Sequence, residues 1–125
     1  MARPIEKFRT LCLAFPEAIE KEAWGAPTFR VKTIFAMYSA PEHEGPDRPA
    51  AWIKSDPVNQ DLLVGADPDR FFVPPYVGPK GWVGVFLDDG TDWEQLAGLL
   101  WDAWRESVPK RLAKEHPEMP NDLPV

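Results

Sequence analysis

Trp82-Val83-Gly84-Val85-Phe86-Leu87 is apolar on both faces apart from Gly84. A strand of that kind belongs inside a sheet, with neighbours on either side, rather than along its rim. It is entered through Pro75-Tyr76-Val77-Gly78-Pro79-Lys80-Gly81, a loop set by glycine and proline and carrying a single lysine. Asp88-Asp89-Gly90 follows it as a turn.

The rest of the chain supplies candidates for the sheet and its cover. Pro4 suits a first helical turn, and Ile5, Phe8, Leu11, Cys12 and Phe15 recur at helical spacing until Pro16 stops them. Ala18 to Trp24 alternates weakly, and Gly25-Ala26-Pro27 reads as a break. Thr28-Phe29-Arg30-Val31 and Ile34-Phe35-Ala36-Met37-Tyr38 are β-rich, with Lys32-Thr33 between them as a tight hairpin. Pro41 to Pro49 is a polar, proline-broken loop containing His43, and Ala50-Ala51-Trp52-Ile53-Lys54 is a further short strand. These segments predict an antiparallel meander of three or four strands.

Asp56-Pro57 is a helix start, the aspartate as cap and the proline as first residue. Val58, Leu62 and Leu63 give this helix an apolar side, and Gly65 ends it. Asp67 to Phe72 reads as one more helical turn. Thr91-Asp92-Trp93-Glu94 fits a capping box, followed by Trp93, Leu96, Ala97, Leu100, Trp104 and Val108 at helical spacing. Pro109 opens a short basic helix, Lys110 to Lys114, and the residues from Glu115 onward read as a tail.

At 125 residues the expectation is one domain, with a core over about residues 4–114 and a tail over 115–125. The fold class is α+β: a single antiparallel sheet flanked by an N-terminal helix, a short middle helix and a long amphipathic C-terminal helix. Six Trp and seven Phe let a small core bury a large area. Fifteen prolines fall mostly in connections and stiffen them. One cysteine excludes an internal disulfide and a thiolate-rich zinc site. No charged-then-apolar leader opens the sequence and no apolar run approaches the ~20 residues of a membrane helix. The expectation is a reduced, cytoplasmic protein without membrane contact.

Chemistry is hard to assemble from this sequence. His43 and His116 lack a second histidine or a cysteine at ligand spacing, so no metal site is expected. Cys12 falls on the apolar face of the first helix, where it reads as a small core residue. The aspartates read as caps and turns, and no phosphate-loop or dinucleotide fingerprint is present. Gly78-Pro79-Lys80-Gly81 has the letters of an RNA-clamping GxxG loop, but it leads into a strand, and its proline lacks an N–H for a phosphate. With no nucleophile, base and orienting group to line up, the sequence reads as non-enzymatic and cofactor-free.

The basic residues suggest binding instead. Arg30 and Lys32 flank the proposed hairpin turn, Lys54 ends the next strand, Arg70 precedes a helical turn and Lys80 sits in the glycine loop. Gathered together beside Tyr76 or Trp82, they would suit backbone neutralisation with apolar contact. The net charge of −6 opposes this globally, so any polyanion would need a local basic face.

Several pieces, in order, resemble the MmcQ/YjbR family. They are Leu13-Ala14-Phe15-Pro16-Glu17-Ala18, Trp24-Gly25-Ala26-Pro27-Thr28-Phe29-Arg30-Val31, Ile34-Phe35-Ala36, Trp52-Ile53-Lys54, Pro75 to Val83, and the amphipathic helix from Trp93. The resemblance spans roughly residues 5 to 114. It implies a compact α+β fold similar to type III secretion chaperones, described as a double wing, and a DNA-binding label. It points to the Lys80 loop and the Arg30–Lys32 hairpin as wings. Lys32-Thr33 departs from the family pattern, in which glycine and lysine often precede the Ile-Phe-Ala strand.

Three expectations follow. The first is a DNA-binding module in which Arg30, Lys32, Lys54 and Lys80 contact phosphates and Tyr76 or Trp82 adds apolar contact. The second is a protein-interaction module, chaperone-like and homodimeric in one form. The third is a small-molecule role in a cleft near Trp82 and Asp88.

Overall fold

A computed structural model of the chain describes residues 4–39 and 48–125. His43 and most of the Pro41–Pro49 loop lie outside the described residues. The elements run α1 (Pro4–Leu13), β1 (Ile19–Ala23), β2 (Ala26–Arg30), β3 (Ile34–Ser39), β4 (Ala50–Ile53), α2 (Pro57–Ala66), β5 (Phe71–Phe72), a 3-10 turn (Gly78–Lys80), β6 (Val83–Phe86), α3 (Trp93–Ser107) and α4 (Lys110–Glu115). The strands form one sheet in the order β1-β2-β3-β4-β6-β5, with every neighbouring pair antiparallel. The expected meander is β1 to β4, and β6 lies inside the sheet between β4 and β5.

Three expectations need correction. The break after β1 is Trp24-Gly25, not Gly25-Ala26-Pro27. Ala23 pairs with Ala26, leaving a two-residue loop whose φ values are 53° and 75°. Positive φ at both positions matches the right-handed twist of the strands, so Ala26 and Pro27 are free to start β2. Phe71 and Phe72 are a strand rather than a helical turn, because Gly84 leaves a hollow on β6. A Cβ there would lie 2.3 Å from the Phe72 ring, which fills that space. The capping box moves by one residue: Asp92 caps α3 by accepting from Gln95 N–H, while the Thr91 hydroxyl accepts from Asp88 N–H.

One face of the sheet carries the main core. Phe8, Leu11, Cys12 and Phe15 of the α1 region, and Leu96, Leu100 and Trp104 of α3, cover Phe29, Ala36, Ile53, Val83 and Val85. Burial of each Phe, Leu, Ile or Val side chain among these contributes about 1.5–3 kcal/mol. A bulge at the Phe29/Arg30 step lets Arg30 pair with Ile34, while Phe29 pairs with Ala36. The extra residue is Phe35, which joins Ala36 in the main core and sends Ile34 to the far face. That far face has its own cluster, Met37, Ala50, Trp52 and Trp82, lined by strand and loop residues only.

Helix α2 is another correction. Asp56 caps it and Pro57 is its first residue, as expected. Leu63 and Val64 pack on the main core, but Val58 and Leu62 stand exposed on the opposite side of the helix. The tail is also less free than expected, since Leu123 packs against the core. Among the described residues, no helix is long and apolar enough to cross a membrane.

Candidate nucleic-acid interface

Strand register decides which cations meet. Arg30 ends β2 opposite Ile34, the first residue of β3. Ile53 ends β4 opposite Val83, the first residue of β6, and Lys54 N–H continues the ladder to the Phe35 carbonyl. Phe72, the last residue of β5, pairs with Gly84. The 31–33 turn, Lys54 and the 73–82 loop therefore occupy one end of the sheet. Arg30, Lys32, Lys54, Lys80 and Tyr76 all belong to that end, and none of the four cations forms an ion pair among the described residues, although Arg30 is half-buried with its Nη2 donating to the Thr28 hydroxyl at 2.8 Å. Asp56 shares the end, with its carboxylate accepting from Asn59 N–H and Nδ2.

The Lys80 loop is held by α2. Gln60 Nε2 donates to the Gly78 carbonyl at 2.8 Å and the Trp82 carbonyl at 2.6 Å. Gly81 has φ of 94° and lies so close to the start of α2 that a Cβ would meet the Asp56 carbonyl carbon at 2.6 Å. Lys80 is thus displayed from a fixed support. Tyr76 is 69% exposed at the tip of the same loop. Trp82 is only 8% exposed, because it packs with Met37 and Trp52 on the far face. It supports the site and cannot offer its ring to a partner.

Lys32 stands on the exposed 31–33 turn, where Thr33 N–H donates to the Ser107 carbonyl at the end of α3. Lys110 opens α4 three residues later, within about 10 Å of chain from that contact. Chain length alone therefore keeps the start of this basic helix near the 31–33 turn. The sequence reading did not single this out, and a pattern of basic residues just after a helix end was the available signal. Trp24 was also missed: it is 80% exposed at the β1–β2 hairpin tip, at the opposite end of the sheet.

That opposite end holds Arg70 and Asp88. Arg70 Nη1 donates to Asp88 Oδ1 at 2.9 Å and to the Phe86 carbonyl at 3.1 Å. Gly90 N–H donates to the same carboxylate, and Arg48 lies 3.8 Å from its other oxygen while stacking on Phe86. Arg70 is therefore occupied structurally. Trp82 and Asp88 flank β6 at opposite ends, so the two residues expected near one cleft are separated by the length of that strand. A cavity of about 250 Å³ lies beside Arg70 instead, bounded by Asp67, Thr91, Asp92 and Gln95.

The Arg70 hydrogen bond, chiefly, holds the Asp88 carboxyl below its ordinary range, with burial opposing it. A depressed folded pKa stabilises the fold above the unfolded value, near 3.9, and that contribution fades as pH falls through the folded value. Asp88 is partly exposed, so Asp88→Asn is expected to cost about 0.2–1 kcal/mol at pH 7. Urea midpoints of the two proteins should converge below about pH 4.

Cys12 is fully buried and desolvation pushes its thiol well up, the opposite of an activated nucleophile. His116 is half-buried, with its ring edge against Trp104 at 6.0 Å. Among the described residues no group of three or more His, Cys, Asp or Glu side chains is placed to hold a metal ion.

Comparison with known proteins bears on the fold and the family. The YjbR family model matches residues 13–106. A crystal structure of a Deinococcus radiodurans protein, DR2400, whose domain is designated DUF419, superposes with a TM-score of 0.72. The two sequences are 22% identical, and the match covers 92% of this chain and 91% of the other. No curated protein matches.

Proposed function

The chain belongs to the YjbR family, and from that premise we propose a non-enzymatic binding module that grips a DNA backbone at the cationic end of its sheet. Arg30, Lys32, Lys54 and Lys80 neutralise phosphates, and Tyr76 contributes apolar contact from the rim. The two wings are the 31–33 turn and the 73–82 loop. The observation that carries this reading is the convergence of four cations, from three separate segments and free of ion pairs among the described residues, at one end of the sheet.

The net charge of −6 sets the conditions. At ~0.1 M salt the Debye length is about 10 Å, so acids elsewhere on the molecule are screened from a phosphate at this end. Contacts at the patch are screened less. Four neutralised phosphates give a log–log salt slope of about −3.6, or roughly a hundredfold loss of affinity between ~50 and ~200 mM salt. Titration of a labelled duplex at both salts tests this. Lys32→Glu is expected to weaken binding and flatten the slope by about 1 or more. No binding at low salt, or a Lys32→Glu protein that binds like the parent, removes the proposal.

The exposed Val58 and Leu62 on α2, with Val73 and Tyr76 on the neighbouring loop, favour a protein-interaction module as the second reading. Light scattering across a concentration series tests its self-associating form. Strictly monomeric behaviour at high concentration counts against a homodimer.

A further inference from the structure

Tyr76 carries a backbone strain that its ring does not explain. Val77 N–H donates to the Pro75 carbonyl at 2.6 Å, closing a three-residue turn with Tyr76 at its centre and a φ of 64°. Positive φ makes this the strained form of the turn, and a bulky side chain rarely adopts it. The same loop uses glycine where positive φ serves a close approach, at Gly81. Tyr76 makes no such approach. It is 69% exposed, and among the described residues its side chain forms no hydrogen bond or ring contact. Strain kept without an internal contact to show for it points to a residue held out for a partner.

The place of the ring narrows what that partner is. Pro74 is buried, and the Val77 carbonyl accepts from Lys80 N–H at 3.1 Å and Trp82 N–H at 3.3 Å. The turn is thereby fastened to the segment that bears Lys80. Lys80 and Lys32 are exposed at this end of the sheet, and Val73 adds apolar surface in the same loop. An aromatic face beside unpaired cations suits a nucleic-acid strand, whose bases stack while its phosphates are neutralised. In a duplex each base face is already covered by its neighbours, so a ring at the rim reaches one only where the strand is unpaired. Charge favours the same choice. A duplex carries one negative charge per about 1.7 Å of axis, and a single strand one per about 3.4 Å. A protein of net charge −6, with Asp56 at this end, repels the single strand less.

We propose that the cationic end takes single-stranded DNA in preference to duplex, with an unpaired base stacked on the Tyr76 ring. This rests on the backbone-gripping reading above and narrows its ligand: the cations hold the phosphates, and Tyr76 distinguishes an open strand from a paired one. The turn already fixes the backbone beneath the ring, so stacking orders little that the fold has not ordered. Every base has a face to offer, so preference should follow strandedness rather than sequence. Four neutralised phosphates on a single strand give a log–log salt slope of about −2.8, against about −3.6 for the duplex.

The test uses the full chain, a labelled mixed-sequence DNA strand of about 16 nucleotides, and the duplex made by adding its complement. At low salt the strand should bind at least about tenfold tighter than the duplex. Tyr76→Gly should weaken strand binding by about tenfold or more and duplex binding by less, whereas Tyr76→Phe should match the parent. Glycine accepts positive φ, so Tyr76→Gly should hold or raise the urea midpoint. A lowered midpoint would show that the ring supports the fold, and overturns the proposal. With ring-labelled tyrosines, the strand should move the Tyr76 signals to higher field and leave those of Tyr38, packed on the main core, in place. Strand and duplex bound equally, both weakened by Lys32→Glu and neither by Tyr76→Gly, overturns the stacking and leaves the backbone reading standing. Neither bound at low salt removes both. A Tyr76→Gly protein that loses self-association and keeps the strand assigns the ring to a protein contact, and overturns the proposal as well.

Discussion

Trp104→Ala is expected to lower the unfolding free energy by about 3–5 kcal/mol, the range for deleting a large buried aromatic side chain. Trp104 has no exposed surface, and its ring lies parallel to Trp101 at 5.3 Å and near-parallel to Phe15 at 6.4 Å. Its indole N–H donates to the Pro16 carbonyl at 3.0 Å, so truncation also strands an acceptor where α1 turns toward β1. Domains of this kind are stable by roughly 5–15 kcal/mol, so the variant should stand near its unfolding threshold. With a urea slope of about 1–3 kcal/mol/M, the midpoint should fall by roughly 2 M. Trp104→Phe keeps a ring in the stack and loses the hydrogen bond, and should fall between the two. A loss below about 1 kcal/mol would mean that the α3–α1 junction is held elsewhere.

Trp104 also marks what was legible in the sequence. Helical spacing placed Trp104, Leu100 and Leu96 on one face, and that face is the buried one. Local chemistry was equally readable at Asp56-Pro57, where cap and first residue sit side by side. The same spacing misled at Val58 and Leu62, because periodicity shows that a helix has an apolar side without showing which side the sheet will cover. Leu63 and Val64 won that contest through contacts made far away in sequence. Strand β5 has two residues, too few for any alternation to appear, and depends on a hollow above Gly84 in another strand. The bulge that turns Phe35 inward cannot be read from Ile34–Tyr38 alone, since it is a property of the pairing with β2. The candidate site divides the same way. Its cations were visible as residue types at segment ends, and their convergence depends on register between strands. Trp82 was misjudged because the cluster that buries it draws on Met37 and Trp52 from two other strands.

Gly81→Ala is expected to be the most damaging single methyl addition at the cationic end. The new Cβ would lie 2.6 Å from the Asp56 carbonyl carbon, 2.7 Å from Pro57 N and 2.8 Å from Asp56 Cα, all backbone atoms that cannot swing aside. Backbone at φ of 94° adds strain for any L side chain. Overpacking and strain of about 1–3 kcal/mol each give a total of roughly 2–6 kcal/mol. Gly98→Ala supplies the contrast. Its Cβ meets nothing within 4 Å, and it lies inside α3, so the same methyl should stabilise by up to about 1 kcal/mol. Opposite signs for one chemical change, read from thermal or urea midpoints, separate a steric effect from any general response to added bulk. The consequence for binding follows from the support that α2 gives the loop. When Gly81 can no longer seat against Asp56, the hydrogen bonds from Gln60 to Gly78 and Trp82 must stretch, and Lys80 moves with them. At temperatures where both variants remain folded, Gly81→Ala should weaken duplex binding and Gly98→Ala should not. If Gly81→Ala is as stable as the parent, the close approach of this loop to α2 is wrong, and with it the fixed support of Lys80.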